Sequence, residues 1–283
     1  MSARCLIVGC GYVGTALAQQ LESDGYEVAG VVYTESSARA LREKGWNVFQ
    51  GDVADSEFWK SLPGRWNMVV YCPSTGGKGL EGYQQIHEQG LKLAFDWLDG
   101  QTTFIYTSST SVYGQTDGEW VNESSETNPV SETAKILVKA ERSVLDHGGL
   151  VLRLAGIYGE GRGVLLKRLL EGGAMVPEQD PKWLNLIHQA DIISAIQYGL
   201  SGKLGFGELY NVVDSRPASY REIYHWLCEQ LSRSLPPTGT PDYFGKRGLT
   251  NKRVSNQKIL ETGWLPKFPS FQEGYQGMLR NLN

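Results

Sequence analysis

The sequence predicts an α/β fold built on a parallel, doubly wound sheet. Three observations carry this. Short apolar runs alternate with amphipathic stretches through the first half of the chain. The apolar runs show little polar alternation, as expected of strands covered on both faces. Glycines and helix-capping residues sit at the junctions between runs. With 283 residues, of which 41% are hydrophobic and 20% charged, a sizeable core is within reach and wholesale disorder is not expected. At ~150 residues per domain, the length allows one large domain or two ordinary ones.

The elements follow in order. Residues 4–8 (RCLIV) read as a buried strand and Gly9 to Gly14 as a turn. Val13, Leu17 and Leu21 then recur every four residues on one helix face, which Gly25 ends. Residues 27–33 (EVAGVVY) are a second strand. Ser36 or Ser37 caps a helix through Lys44, with Gly45 just beyond it. Strands at 46–50, 67–72, 102–107 and 150–154 alternate with helices at 56–62, 80–99 and 131–146. After residue 155 the pattern loosens. Glycines and prolines cluster in 156–181 and 234–248, around a strand at 208–213 (ELYNVV). This predicts residues 1–155 as one domain and 156–283 as a smaller lobe, with a strand at 184–187 and a helix at 190–200 returning to the first.

Charge and cysteine content exclude several function classes. Lys plus Arg is 27 and Asp plus Glu is 31, a net charge of −4. A general nucleic-acid binder needs a basic surface to displace counterions, so no nucleic-acid partner is expected. The four cysteines, Cys5, Cys10, Cys72 and Cys228, form no CxxC pair and are too sparse for a disulfide scaffold, which points to a reducing, cytoplasmic setting. No apolar run approaches the ~18 residues that a membrane span needs. Residues 1–18 imitate a short secretory leader, with Arg4, an apolar stretch and an Ala16-Leu17-Ala18 end, but the spacing of Gly9, Gly11 and Gly14 inside that stretch argues for a different role.

The pattern Gly9-x-Gly11-x-x-Gly14 follows a strand, opens a helix and precedes a second strand, all within about thirty residues. The first glycine permits the tight turn, the second lets a pyrophosphate approach the backbone and the third lets helix and strand pack closely. The helix N-terminus, at Tyr12 and Val13, adds N–H groups and a partial positive charge. These features predict dinucleotide binding. For NAD an acidic residue usually ends the second strand. Here Glu35 comes a residue or two late, while Thr34, Ser36, Ser37 and Arg39 suit a 2′-phosphate, so NADP is preferred over NAD. The serines also serve as helix caps.

With that turn in place, later motifs resemble the extended short-chain dehydrogenase/reductase family, which includes nucleotide-sugar epimerases and dehydratases. The resemblance covers nearly the whole chain. Gly51-Asp52-Val53 resembles the segment whose Asp reads the adenine amine. Residues 107–114 (TSSTSVYG) resemble the motif that ends strand five, with Thr107 near the cofactor and Ser109 at the position of the catalytic serine. Residues 153–159 (RLAGIYG), 186–191 (LIHQAD), 210–212 (YNV) and 252–256 (KRVSN) resemble further family segments. The resemblance implies a Rossmann-type fold with a small C-terminal α+β substrate lobe, NAD(P), a small polar or sugar-nucleotide-like substrate, and a homodimer formed through the helices at 80–99 and 131–146.

Two departures matter. Val8 stands where the family's usual G-x-x-G-x-x-G has its first glycine, which points to the atypical extended branch. The family's general acid/base is the Tyr of Tyr-x-x-x-Lys, whose two side chains share a helix face. Here the stretch reads Ser131-Glu132-Thr133-Ala134-Lys135. Lys135 is kept and Ser131 replaces the Tyr. A serine hydroxyl is a far weaker acid than a phenol and shorter, so it does not substitute directly. Tyr113, Tyr158, His188 and Glu132 are the alternatives within reach by sequence. For Tyr113 the competing role is packing, and for His188 a structural hydrogen bond.

Other patterns are weaker. His87, His147, His188 and His225 are dispersed, with no metal-ligand spacing, so no metal is expected. No G-x-S-x-G elbow exists for serine hydrolysis. Cys10 lies at a helix N-terminus, where a thiol can be activated, but a small residue filling a tight turn explains it better. Lys246, Arg247, Lys252 and Arg253, with Arg233 upstream, form a basic patch that either faces solvent or clamps a substrate phosphate or carboxylate. Trp183, Trp226 and Trp264 line either a pocket or a core. Two functions emerge: an NAD(P)-dependent oxidoreductase or epimerase in which Ser109 orients the reacting oxygen and Lys135 the ribose, or a dinucleotide-binding sensor or scaffold with little turnover.

Overall fold

The computed structural model describes residues 2–178, 181–239 and 250–282. Its strands in chain order are β1 (Arg4–Val8), β2 (Glu27–Val32), β3 (Val48–Gln50), β4 (Met68–Tyr71), β5 (Thr103–Ser109), β6 (Trp120–Val121), β7 (Leu150–Leu154), β8 (Gly156–Tyr158), β9 (Val176–Pro177), β10 (Trp183–Leu184), β11 (Leu186–His188), β12 (Leu209–Val212), β13 (Ala218–Ser219), β14 (Thr238–Gly239) and β15 (Arg253–Val254). The α-helices are α1 (Tyr12–Ser23), α2 (Glu35–Arg42), α3 (Ser56–Ser61), α4 (Gly79–Tyr83), α5 (Leu91–Trp97), α6 (Glu132–Asp146), α7 (Val164–Leu170), α8 (Gln189–Leu200), α9 (Tyr220–Leu231), α10 (Gln257–Glu261) and α11 (Phe271–Arg280).

Strands β12, β7, β5, β4, β1, β2 and β3 form a seven-stranded sheet in that order. Strand β1 lies between β2 and β4, and the ladders β2–β3, β1–β2, β1–β4 and β4–β5 are parallel. The chain therefore winds outward in both directions from β1, as the alternating pattern predicted. The apolar runs are buried as expected of a covered sheet: Leu6, Ile7 and Val8 of β1, and Leu150, Val151 and Leu152 of β7, expose nothing to solvent. Burial of such a side chain stabilises by roughly 1.5–3 kcal/mol.

The chain divides into two compact units that alternate along the sequence. The first comprises Met1–Ser109, Ser131–Arg153 and Ala195–Leu209, and the second Thr110–Val130, Leu154–Ser194 and Tyr210–Asn283. The second has its own core, in which Leu165, Leu166 and Leu169 of α7, Ile223, Tyr224 and Leu227 of α9, and Phe271 and Tyr275 of α11 pack with Tyr158 and Val176.

Among the differences from the sequence reading, three bear on how the chain is built. The helix expected at 80–99 is two α-helices joined by a π-helical stretch, Gln84–Gly90. The buried Tyr71 hydroxyl donates to the Ile86 carbonyl at 2.7 Å, and a Cβ on Gly90 would lie 2.6 Å from that hydroxyl oxygen. A side chain inserted into the helical ladder is a known cause of such widening. The strand expected at 184–187 is interrupted at Asn185, whose side chain bonds Lys252 and Val254. Finally, α2 ends at Arg42 rather than Lys44, and Gly45, at φ +84°, donates to the Arg42 carbonyl. Among the described residues no helix is long and apolar enough to cross a membrane.

Candidate functional site

The glycine turn joins β1 to α1. Gly9 has φ +101°, a conformation open to glycine, and a Cβ there would lie 2.5 Å from Pro73 Cα. A Cβ on Gly14 would lie 2.3 Å from the Gly9 carbonyl oxygen, so the helix packs directly on the turn. A Cβ on Gly11 would meet nothing within 4 Å. Two glycines are thus required by the protein's own packing. The middle one keeps a space clear of protein atoms at the N-cap of α1, where no side chain supplies a cap. A phosphate group fits such a place, because the first N–H groups of a helix lack intrahelical acceptors.

Cys10, inside the turn, is buried with its thiol against β2, where a Cβ on Gly30 would lie 2.5 Å from the sulfur. Burial pushes its thiol up to about 12, against a smaller lowering by hydrogen bonding at the Val31 backbone, and so disfavours the thiolate. Cys5 is likewise raised to about 12 by burial and by Cys10.

At the end of β2, Thr34 caps α2. Its Oγ1 accepts from the Ser37 N–H at 3.3 Å, and it lies 3.2 Å from Ser36 Oγ and 2.8 Å from Ser37 Oγ. Glu35 pairs with Arg42 at 3.2 Å. Arg39 is exposed, and the Lys78 ammonium lies 4.0 Å from the centre of the exposed Tyr33 ring. Asp52 accepts from the Ala54 N–H at 2.9 Å in a local turn. Thr107 and Ser109 are half-buried on β5.

Ser131 has a structural task that its alignment with a tyrosine concealed. It is the N-cap of α6, with φ −117° and ψ 148°, and accepts the Ala134 N–H at 3.2 Å. Ser131→Ala is expected to destabilise the protein by about 1 kcal/mol, read as a lower denaturation midpoint at unchanged slope. Lys135 is exposed and pairs with Glu132 at 2.7 Å. Behind this helix lies a network that sequence reasoning missed. Arg153 of β7 makes a bidentate pair with Glu141 of α6, Nε–Oε1 at 2.9 Å and Nη2–Oε2 at 2.7 Å, and Ser108 Oγ donates to Glu141 at 2.6 Å. All three are buried.

In the second unit the motif residues form a polar frame. Tyr113 exposes nothing, and its hydroxyl lies 2.9 Å from the Asn122 carbonyl and 3.0 Å from Asn211 Oδ1. Asn211 also donates to Glu123 and to the Ser255 carbonyl, and Asn256 reaches the Val213 carbonyl. Asp191 accepts the Lys267 and Phe268 N–H groups. Tyr158 is buried beside Tyr275, with its hydroxyl donating to the Ser270 carbonyl at 3.4 Å. Burial first, then Asp214, raises its phenol well above the ordinary range, the opposite of what acid–base work at neutral pH needs. The His188 ring accepts the Ala190 N–H through Nδ1 at 3.2 Å and lies edge-on to Tyr158.

Burial, aided by Lys267, lowers His188 to about 4, and burial lowers His87, bonded to the Tyr106 hydroxyl at 2.9 Å, to about 4. An unfolded histidine titrates near ~6.5. Between that pH and about 4 the unfolded state therefore binds protons that these rings refuse, so their contribution to stability is constant above the window and falls as pH drops through it. NMR titration is expected to show both rings neutral down to about pH 5.

The basic patch separates into different roles. Lys246 and Arg247 lie outside the described residues. Arg233 holds the carbonyls of Leu169 and Leu170 at the end of α7. Arg253 Nε donates to the Gly118 carbonyl at 2.7 Å, with the guanidinium 5.2 Å from the Trp120 ring centre and 5.1 Å from that of Trp183. Trp264 is core, donating to Ser194, and Trp226 packs edge-on against Phe271. Among the described residues no group of three or more His, Cys, Asp or Glu could hold a metal ion.

Comparison with known proteins adds four findings. Residues 5–65 match the TrkA-N domain model. Protein YeeZ of Escherichia coli K12 is 30% identical over 267 residues, spanning 90% of this chain and 94% of that protein. A Methylobacillus flagellatus protein provisionally described as an NAD-dependent epimerase/dehydratase superposes with a TM-score of 0.76 at 25% identity, over 100% of this chain and 99% of that one. The fold is also that of the Thermotoga maritima UDP-glucose 4-epimerase, with a TM-score of 0.79 at 19% identity over 99% of this chain and 100% of the other.

Proposed function

This chain belongs to the family of Escherichia coli protein YeeZ, and from that premise we propose that it is an NAD(P)-dependent oxidoreductase or epimerase of the extended short-chain dehydrogenase type. The observation that carries the proposal is the open space at Gly11, walled by a turn that Gly9 and Gly14 make possible. The pyrophosphate would sit there, on the first turn of α1. The description of the Methylobacillus flagellatus protein as NAD-dependent supports the cofactor class. For this chain NADP is the better fit. The hydroxyls of Thr34, Ser36 and Ser37 gather where a 2′-phosphate would lie, and Glu35, engaged by Arg42, is poorly disposed toward a ribose.

When bound, the nicotinamide ring supplies or accepts the hydride. Lys135 would leave Glu132 for the ribose hydroxyls, an exchange that costs little because an exposed ion pair is worth about 0–1 kcal/mol. Ser109, at the end of β5, would orient the reacting oxygen. The test is turnover: protein stripped of cofactor is given NADPH with carbonyl and nucleotide-sugar substrates, and nicotinamide absorbance is followed. Oxidation that depends on one substrate and is lost in Lys135→Ala supports the reading.

One observation favours the second reading, a dinucleotide-binding sensor. The residue at the family's tyrosine position is engaged as a helix cap. Tight dinucleotide binding with no turnover, and none gained in Ser131→Tyr that still folds, would favour the sensor.

A further inference from the structure

We propose that Lys78 selects the cofactor: its ammonium leaves the Tyr33 ring to pair with the 2′-phosphate that distinguishes NADP from NAD. Lys78 takes this role only if the chain binds a dinucleotide as proposed above. All the residues concerned lie in the first unit.

The sheet dictates where Lys78 lies. Strand β1 runs between β4 and β2, with Val8 paired to Tyr71 on one side and to Val31 on the other. Two strand spacings, roughly 10 Å, separate those neighbours. The same order holds at the strand ends. The Gly9 N–H donates to the Val31 carbonyl at 2.9 Å, and the Cys72 N–H to the Val8 carbonyl at 2.8 Å. Pro73 then lies against Gly9, so close that a Cβ on the glycine would be 2.5 Å from Pro73 Cα. The chain thus leaves β4 on one side of the glycine turn. Further along the same loop, Lys78 reaches Tyr33 on the other side, its ammonium 4.0 Å from the ring centre. Loop and side chain together span the C-terminal end of β1, beside the place proposed for the pyrophosphate.

The contact that holds Lys78 there is a weak one. The loop is shaped by its own bonds, from the Gly76 N–H to Ser74 Oγ at 3.4 Å and from the Lys78 N–H to the Thr75 carbonyl at 3.1 Å. A Cβ on Gly76 or Gly77 would meet nothing within 4 Å, so the loop borders open space at both positions. Lys78 and Tyr33 are exposed, and a cation over an exposed ring gains little. An aromatic face attracts the charge but offers no lone pair in the plane of an N–H bond. Among the described residues no carboxylate pairs with Lys78, so its three donors remain to be given.

The groups that would share a phosphate with it gather at Tyr33. The Gln50 side chain of β3 donates to the Tyr33 carbonyl at 3.0 Å and fixes the root of the ring. Next in the chain is Thr34, whose hydroxyl lies 3.2 Å from Ser36 Oγ and 2.8 Å from Ser37 Oγ. Arg39 is exposed, and among the described residues it too has no carboxylate partner. Glu35, which would repel an anion, is engaged by Arg42 at 3.2 Å. A phosphate monoester takes charge-assisted bonds from an ammonium more strongly than an aromatic face holds it. A ribose hydroxyl carries no charge, so NAD gives Lys78 no reason to leave the ring. That difference is the selectivity.

The test is calorimetric titration of the full-length protein, stripped of nucleotide, with NADP⁺, NAD⁺ and adenosine 2′,5′-bisphosphate. Wild type is expected to bind NADP⁺ more tightly than NAD⁺ and to bind the bisphosphate. Lys78→Met should weaken NADP⁺ and the bisphosphate by about tenfold or more, leave NAD⁺ within about twofold, and melt at the wild-type temperature. Lys78→Arg should keep most of the NADP⁺ affinity, because a guanidinium also pairs with phosphate. A Lys78→Met variant that weakens both dinucleotides equally, or neither, would overturn the assignment of Lys78 and leave the dinucleotide reading standing. So would a wild type that prefers NAD⁺. A wild type that binds neither dinucleotide would overturn both.

Discussion

Gly14→Ala is expected to destabilise the protein by about 3 kcal/mol, a fall of roughly 6–12 °C in melting temperature. The added Cβ would lie 2.3 Å from the Gly9 carbonyl oxygen, and this contact is with backbone, so no rotamer change relieves it. Gly9→Ala should be similarly costly. Its φ of +101° disfavours any side chain, and Pro73 blocks the space. Gly11→Ala separates binding from folding. Its Cβ enters open space, so its melting temperature should stay within a degree or two of wild type, as for a substitution that clashes with nothing. Its dinucleotide affinity should nonetheless fall by about tenfold or more, because the methyl group occupies the place proposed for phosphate oxygens. Thermal melting and cofactor titration on the same three variants check the pattern. Equal stability of all three would show that the turn is not packed as described.

Glu141→Ala carries the second large effect, an expected loss of about 3–5 kcal/mol. Removing the carboxylate leaves the Arg153 guanidinium buried without its bidentate partner and deprives the Ser108 hydroxyl of its acceptor at 2.6 Å. The charge is what makes the single change costly, so the double variant Glu141→Leu/Arg153→Met should recover most of the loss. Denaturant unfolding of wild type, both single variants and the double variant measures the coupling. A Glu141→Ala variant within about 1 kcal/mol of wild type would contradict the role assigned to the pair.

The parallel sheet was legible because its cause is local. Runs such as Cys5–Val8 and Leu150–Leu152 are apolar without alternation, and only strands covered on both faces need that. The glycine turn was legible because Gly9 and Gly14 each meet a separate steric demand, with Gly11 between them, all within six residues. Other features depend on partners far apart in sequence. Arg153 in the middle of an apolar strand is a cue to a buried counter-charge that the sequence reading passed over, and nothing local identifies Glu141 as that partner. The π-helical stretch depends on Tyr71, which lies before it in another element. Ser131 followed by Glu132 at a helix start is a capping signal, and reading the position only as a missing tyrosine hid it. Asp191, Asn211 and Asn256 were noticed as motif residues, while their hydrogen-bond partners emerged from the three-dimensional packing. Lys252 read as one cation of a basic patch, either facing solvent or clamping a substrate anion, and its burial shows only in the folded chain.

The most direct measurement is calorimetric titration of the protein, stripped of any co-purified nucleotide, with NADP⁺ and separately with NAD⁺. Binding at micromolar strength, tighter for NADP⁺ and weakened in Gly11→Ala, is the predicted result. No binding of either dinucleotide by a protein that melts cooperatively would contradict the account, leaving the glycine turn as a packing device alone.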